Sequence, residues 1–206
     1  MKRLGVTGGI GSGKSYVCRI LQERFGIPVY NCDIRARIIT WTDPDVITRL
    51  SALDAGLYSP SGELDKVRMA QYMFASEEHL QTVNSIIHPA VRNDLRQWYA
   101  RHAEKPIVAM ESAILYESGF QSEVDCVLFV DAPLELRVRR AVERDAASEQ
   151  QIRQRVNHQQ TDEAHRLADF VINNDGAMPL EPQLREVLDT LDTLDTLDTL
   201  DLLESL

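Results

Sequence analysis

At 206 residues, with 44% hydrophobic and 26% charged residues, the chain can build one sizeable core and leave room for a small inserted subdomain. The net charge of −10 argues against a nucleic-acid surface, which needs a basic field. No apolar run is long enough to cross a bilayer, and no secretory or transit segment is expected. Cys18, Cys32 and Cys126 have no metal-like or redox-like spacing and sit in apolar stretches. Buried free thiols and a reduced, cytoplasmic setting are expected.

Leu4 and Val6 suit a short buried strand. Gly8, Gly13, Lys14 and Ser15 then fit the phosphate-loop pattern G-x-x-x-x-G-K-[ST], with Gly9, Gly11 and Ser12 between them. Val17, Ile20, Leu21 and Phe25 give the helical stripe that should follow such a loop. Glycines let backbone N–H groups close around phosphate oxygens, and the helix N-terminus adds partial positive charge. Lys14 reaches the β- and γ-phosphates of a bound nucleotide, and the Ser15 hydroxyl is placed for Mg²⁺.

Gly26 and Pro28 stop that helix, and Ile27–Cys32 reads as a second strand ending at Asp33. Ligands of open α/β sheets collect at the carboxyl ends of strands, so Asp33 is expected near the phosphate loop. Residues 34–39 begin a helix, and 40–64 are rich in turn formers. Val67, Ala70, Met73 and Phe74 predict one helical face, Ser76 caps a second helix, and His88-Pro89 predicts a break before a third. The stretch 63–103 is thus expected as an all-helical insertion between strands.

Ile107–Glu111 and Cys126–Asp131 read as central parallel strands, each ending in an acid. Either acid is a candidate to assist Mg²⁺ through water, and loop capping is the alternative for Asp131. Arg137, Arg139, Arg140 and Arg144 lie on a basic helix, and Ser148 with Gln151 forms a capping box for a helix carrying Arg153 and Arg155. Arg139 and Arg153 are expected on a solvated face, whereas Arg140, Arg144 and Arg155 are candidates for phosphates. Phe170–Ile172 is the last expected strand, before the turn Asn173–Gly176. From Leu188 the chain repeats Leu-Asp-Thr, and residues 189–206 carry six of the negative charges. A three-residue period drifts around a 3.6-residue helix, so a helix starting near 179 should fray within the repeat. The repeat reads as a slipped extension without function, with an oligomerisation tail as the alternative.

A phosphate loop by itself indicates a bound nucleoside triphosphate. The helical insertion, the Arg-rich helical pair and Asp33 favour a small-molecule kinase, with Asp33 accepting the proton of an acceptor hydroxyl. The alternative for Asp33 is a helix N-cap. A non-catalytic nucleotide-binding regulator is the rival from another class.

Beyond these motifs the chain resembles the dephospho-CoA kinase family over residues 3–176. The resemblance is carried by Val6–Ser15, Asp33-Ile-Arg-Ala-Arg37, Ile87-His-Pro89 and Ile114–Gly119. Arg144-Asp145, Arg155 with Gln159, and Ala168–Asp169 leading to Ile172–Gly176 extend it. It implies an α/β fold: a parallel-sheet P-loop core (1–62, 104–136 and 168–188), a helical CoA-binding insertion (63–103), a lid (137–167) and an acidic repeat tail (189–206). It implies transfer of the ATP γ-phosphoryl group, with Mg²⁺, to the 3′-hydroxyl of dephospho-CoA. Asp33 matches the family's proposed base, and Arg140 and Arg144 match lid arginines that meet ATP phosphates. His88 and Arg92 lie in the acceptor-holding domain, with Arg37, Glu117 and Arg155 as further acceptor-side candidates. For His88 a hydrogen-bonded role at the helix break is the alternative. Asn174 and Gly176 match a region near the adenine. Tyr16 stands where the family usually has Thr, which removes a hydroxyl contact to the α-phosphate. Asn31-Cys32 and Ala113 also depart from the family pattern. A small kinase acting on a nucleoside, nucleotide or shikimate-like alcohol shares the loop, lid and Asp33 but does not predict Ile87-His-Pro89.

Overall fold

The computed structural model describes residues 1–157, 159 and 161–204, the last eleven by their backbone alone. It divides into two compact units, one built from residues 1–29 with the chain from 104 onward, the other from Tyr30–Ala103.

The first unit carries the sheet. Strands β1 (Lys2–Thr7), β3 (Ile107–Glu111), β4 (Cys126–Asp131) and β5 (Phe170–Asn173) pair in parallel, β1 lying between β3 and β4. With the short β2 (Val29–Asn31) the order is β2-β3-β1-β4-β5. Every residue of β3 is buried, as are Leu4 to Thr7 of β1. A strand covered on both faces needs this continuous apolar run.

Helix α1 (Lys14–Phe25) follows β1, and buries Val17, Cys18 and Leu21. It ends at Gly26, whose φ of 66° lets the Ile27 N–H turn back to the Leu21 carbonyl. Helices α6 (Leu134–Asp145), α7 (Glu149–Asn157) and α8 (Thr161–Leu167) occupy the expected lid segment. Val138, Ala141, Ile152 and Val156 form a small apolar cluster of their own there. The Ser148–Gln151 capping box is present, each residue bonding the other's backbone N–H.

The C-terminal helix α9 (Leu180–Glu204) corrects the expectation of fraying. Leu180, Leu184, Val187, Leu188 and Leu191 are buried in the same core as β1 and α1. Those positions follow the helical period, so the first two repeat leucines lie on an anchored stripe and the helix continues from it.

The helical unit holds α2 (Cys32–Thr42), α3 (Pro44–Leu53), α4 (Lys66–Ala75) and α5 (Glu77–Arg101). It begins at Tyr30, well before the boundary of 63 read from the sequence, because α2 and α3 both pack on α5. The turn formers of 40–64 are in part helix signals. Asp43 caps α3 with Pro44 in its first turn, and Asp65 caps α4. The expected helix is present as α4, but the face shared by Val67, Ala70, Met73 and Phe74 is not the buried one. Met69 is buried, whereas Val67 and Phe74 are 68% and 79% exposed. The break at Pro89 is also absent, and α5 runs through it. Val83 and Ile86 before the proline and Val91, Leu95 and Tyr99 after it are buried on the unit's core, which offsets the lost backbone bond. Among the described residues no helix is long and apolar enough to cross a membrane.

Candidate active site

The phosphate loop leaves the carboxyl end of β1 and enters α1. Gly11 and Gly13 have φ of 76° and 97°, a region L-residues avoid. Space forbids side chains there as well. A Cβ on Gly11 would meet the Arg137 carbonyl, and one on Gly13 would meet the Asn174 amide. Gly8 likewise lies against the Val130 carbonyl, and Gly9 against the Arg137 guanidinium.

Lys14 is buried, and its Nζ donates to the Gly8 and Gly9 carbonyls at 2.7 and 3.1 Å. The ammonium is therefore held at the loop. Ser12 is buried inside the loop, its Oγ without a hydrogen-bond partner. Ser15 Oγ donates to Glu111 Oε1 at 2.7 Å, and Glu111 is the buried last residue of β3. Of the two strand-end acids, Glu111 meets the loop serine. It was legible only as an acid after an apolar strand. The pair supplies hard oxygen donors, the chemistry Mg²⁺ takes.

Asn174, buried just past β5, holds the loop from the other side. Its Nδ2 donates to the Ser12 carbonyl at 2.7 Å, and its own carbonyl accepts from Arg140 Nη1 at 2.9 Å. This loop-holding contact had no signal in the sequence. Gly176 lies in the following turn at φ 88°, with open space around it. Tyr16 is half exposed, and the Arg19 guanidinium lies 5.3 Å from its ring centre.

Arg144 and Arg155 are brought together by Asp145. Arg144 Nε and Arg155 Nη1 donate to its two oxygens at 2.7 and 2.8 Å. The Arg144 guanidinium, with Arg155 adding to it, holds this carboxyl down to about 2. Arg139 is exposed as expected, and Arg153 pairs with Glu135 and Glu149 on the surface. Glu117 is exposed in the turn after β3. Cys18 and Cys32 are buried free thiols, and burial pushes the half-buried Cys126 up to about 12.

In the helical unit, Asp33 occupies the first turn of α2, with Arg37 one turn later on the same face, both exposed. Asp33 does not cap the helix. Asn31 does, its Oδ1 accepting the Ile34 N–H at 2.9 Å. His88 and Arg92 are likewise one turn apart on α5, both half-buried. Burial, and then the Arg92 charge, lower the His88 pKa, which keeps the imidazole neutral near pH 7.

A brace absent from the sequence reading fixes α2 on α5. Arg35 Nε and Nη2 donate to the two Asp94 oxygens at 2.8 Å each, and Tyr30 Oη donates to Asp94 Oδ2 at 2.6 Å. Burial would raise the Asp94 pKa, but the Arg35 and Tyr30 hydrogen bonds outweigh it and hold the carboxyl below its ordinary range.

Known proteins bear on these arrangements. The family model for dephospho-CoA kinase matches residues 3–179. A dephospho-CoA kinase of Bacteroides fragilis is 49% identical over 187 residues, covering 90% of this chain and 91% of that protein. A crystal structure from Thermus thermophilus is 32% identical with a TM-score of 0.78, covering 94% and 97% of the two chains. The shikimate kinase of Acinetobacter baumannii, at 15% identity and a TM-score of 0.53 over 94% of each chain, shares the fold alone.

Proposed function

The chain belongs to the dephospho-CoA kinase family, and we propose that it transfers the γ-phosphoryl group of ATP to the ribose 3′-hydroxyl of dephospho-CoA, giving coenzyme A and ADP. The observation that carries the phosphoryl-transfer chemistry is the loop itself. A lysine, a serine–glutamate pair and left-handed glycines are held at one strand end.

The loop N–H groups and the N-terminus of α1 bind the β-phosphate. Lys14 Nζ exchanges its contacts with the Gly8 and Gly9 carbonyls for β- and γ-oxygens. Ser15 and Glu111 would hold Mg²⁺, which neutralises charge between the β- and γ-phosphates when bound. Asp33 orients the acceptor hydroxyl and takes its proton as the new O–P bond forms and the bond to the β-phosphate oxygen breaks. Arg140 and Arg144 meet the charge on the transferring group. Arg37, His88 and Arg92, with Glu117 and Arg155, are the acceptor-side candidates. The low pKa of His88 makes it a neutral hydrogen-bonding group there. Asn174 shapes the nucleotide side through the loop backbone, and Gly176 leaves the adjoining turn open. A cytoplasmic setting follows from this reading.

The test is acceptor-dependent ADP release with ATP and Mg²⁺, comparing dephospho-CoA with adenosine, a nucleoside monophosphate and shikimate. Release with dephospho-CoA alone is expected. Release with one of the other acceptors, or with none, overturns the assignment.

A further inference from the structure

The crown of the phosphate loop is the Ile10 peptide, set between Gly9 and Gly11. Two glycines impose little restraint on the peptide between them, so whatever fixes it must come from elsewhere in the chain. Both of its polar groups are taken by side chains distant in sequence. The Ile10 N–H donates to Gln159 Oε1 at 2.7 Å, and the Ile10 carbonyl accepts from Arg137 Nε at 3.2 Å. The Ile10 side chain packs against the apolar cluster of α6 and α7.

The two gripping side chains are themselves anchored. Gln159 Nε2 donates to the Ala113 carbonyl at 3.4 Å, which ties it to the segment after β3. Arg137 is only 8% exposed, and its guanidinium occupies the space a Gly9 side chain would need. Its Nη2 is buried with no hydrogen-bond partner. A buried, incompletely satisfied guanidinium is costly. The acceptor of its Nε is a loop carbonyl.

We propose that Arg137 and Gln159 are positioning residues for ATP. They grip the two peptide units that flank the Ile10 Cα and hold the phosphate loop in its binding shape without touching the nucleotide. The segment expected to be a lid is then also a clamp on the loop. This inference rests on the proposed function only in requiring that the loop bind ATP.

The test uses the full chain and a non-hydrolysable ATP analogue, AMP-PNP, titrated by calorimetry with Mg²⁺. Gln159→Leu removes the acceptor and is expected to weaken AMP-PNP binding about tenfold, with a matching rise in KM for ATP. The KM for the acceptor and the melting temperature should stay at their wild-type values. Gln159→Glu keeps an oxygen for the Ile10 N–H and should recover most of the affinity. Arg137→Met should weaken binding to a similar degree. The double variant should lose less than the product of the two effects, because both side chains act on the backbone of one residue, Ile10. Wild-type AMP-PNP affinity in folded Gln159→Leu overturns the inference. So does an equal loss in Gln159→Glu, or a loss that only follows a lowered melting temperature. Because AMP-PNP binding is read directly, a failure of dephospho-CoA as acceptor leaves this test standing.

Discussion

The phosphate loop and the α2–α5 helix pair present their chemistry in opposite ways. In the loop most of the binding groups are backbone N–H groups, and side chains from residues 111, 137, 159 and 174 serve to hold that backbone or its serine. On α2 and α5 the backbone is a regular helix, and the candidate groups are side chains one turn apart, Asp33 with Arg37 and His88 with Arg92. A loop of that kind demands particular residues at particular places, because only glycine tolerates its φ values and its contacts. A helix face makes no such demand on the backbone, since every L-residue but proline adopts its φ and ψ without strain. Substitutions should therefore act differently in the two places. Those on the helices should remove one function each, whereas those in the loop should disturb nucleotide binding as a whole.

The largest effect is expected on the helix side. Asp33→Asn should lower turnover by about 10²–10⁴-fold while leaving ATP affinity unchanged, measured by steady-state kinetics and nucleotide titration. Turnover equal to wild type would remove Asp33 from the chemistry. In the loop, Lys14→Met should cost about 10²–10³-fold in kcat and also raise the KM for ATP. An unchanged KM would mean that the two regions fail in the same way after all. Glu111→Gln should raise the Mg²⁺ concentration for half-maximal rate by roughly 10–100-fold, read from a metal titration at saturating ATP.

Asp94→Asn breaks the bidentate bond to Arg35 and should cost about 1–2 kcal/mol of stability by denaturant titration. Its kinetic effect should fall on the acceptor KM and spare the ATP KM. The smallest effect is a pH dependence at His88, whose pKa is lowered in the folded chain from 6.5. The unfolded chain binds this proton more readily, so stability should decline as pH falls below 6.5 and level off below the folded value. His88→Gln should remove that part of the slope, seen by comparing melting curves of the two proteins.

Much of the core was legible. The apolar runs ending at Thr7, Glu111 and Asp131 are parallel strands, because burial on both faces leaves no alternation to confuse them with other structure, and Phe170–Ile172 falls in the partly exposed edge strand β5. The helices misled in two places, and in a third the pattern was silent about burial, each for a separate reason. Pro89 looked like a break because local chemistry disfavours proline in a helix, yet burial on both sides of it carried α5 through. Val67 and Phe74 do share a helical face, but periodicity finds an apolar stripe without saying what covers it, and both are exposed. The Leu-Asp-Thr repeat looked unable to sustain a helix, yet its first leucines continue the stripe begun at Leu180.

By itself the sequence determined the phosphate loop with Lys14 and Ser15 and the strands that flank it, because each depends on residue types at short, fixed spacing. The tertiary structure decided which distant groups complete them. Glu111 meets Ser15 across the sheet, Asp94 joins Arg35 and Tyr30, and Arg137 and Gln159 close on Ile10. Those pairings join residues dozens of positions apart. A hydrogen bond needs only that two groups meet, so no local pattern of residues can announce it.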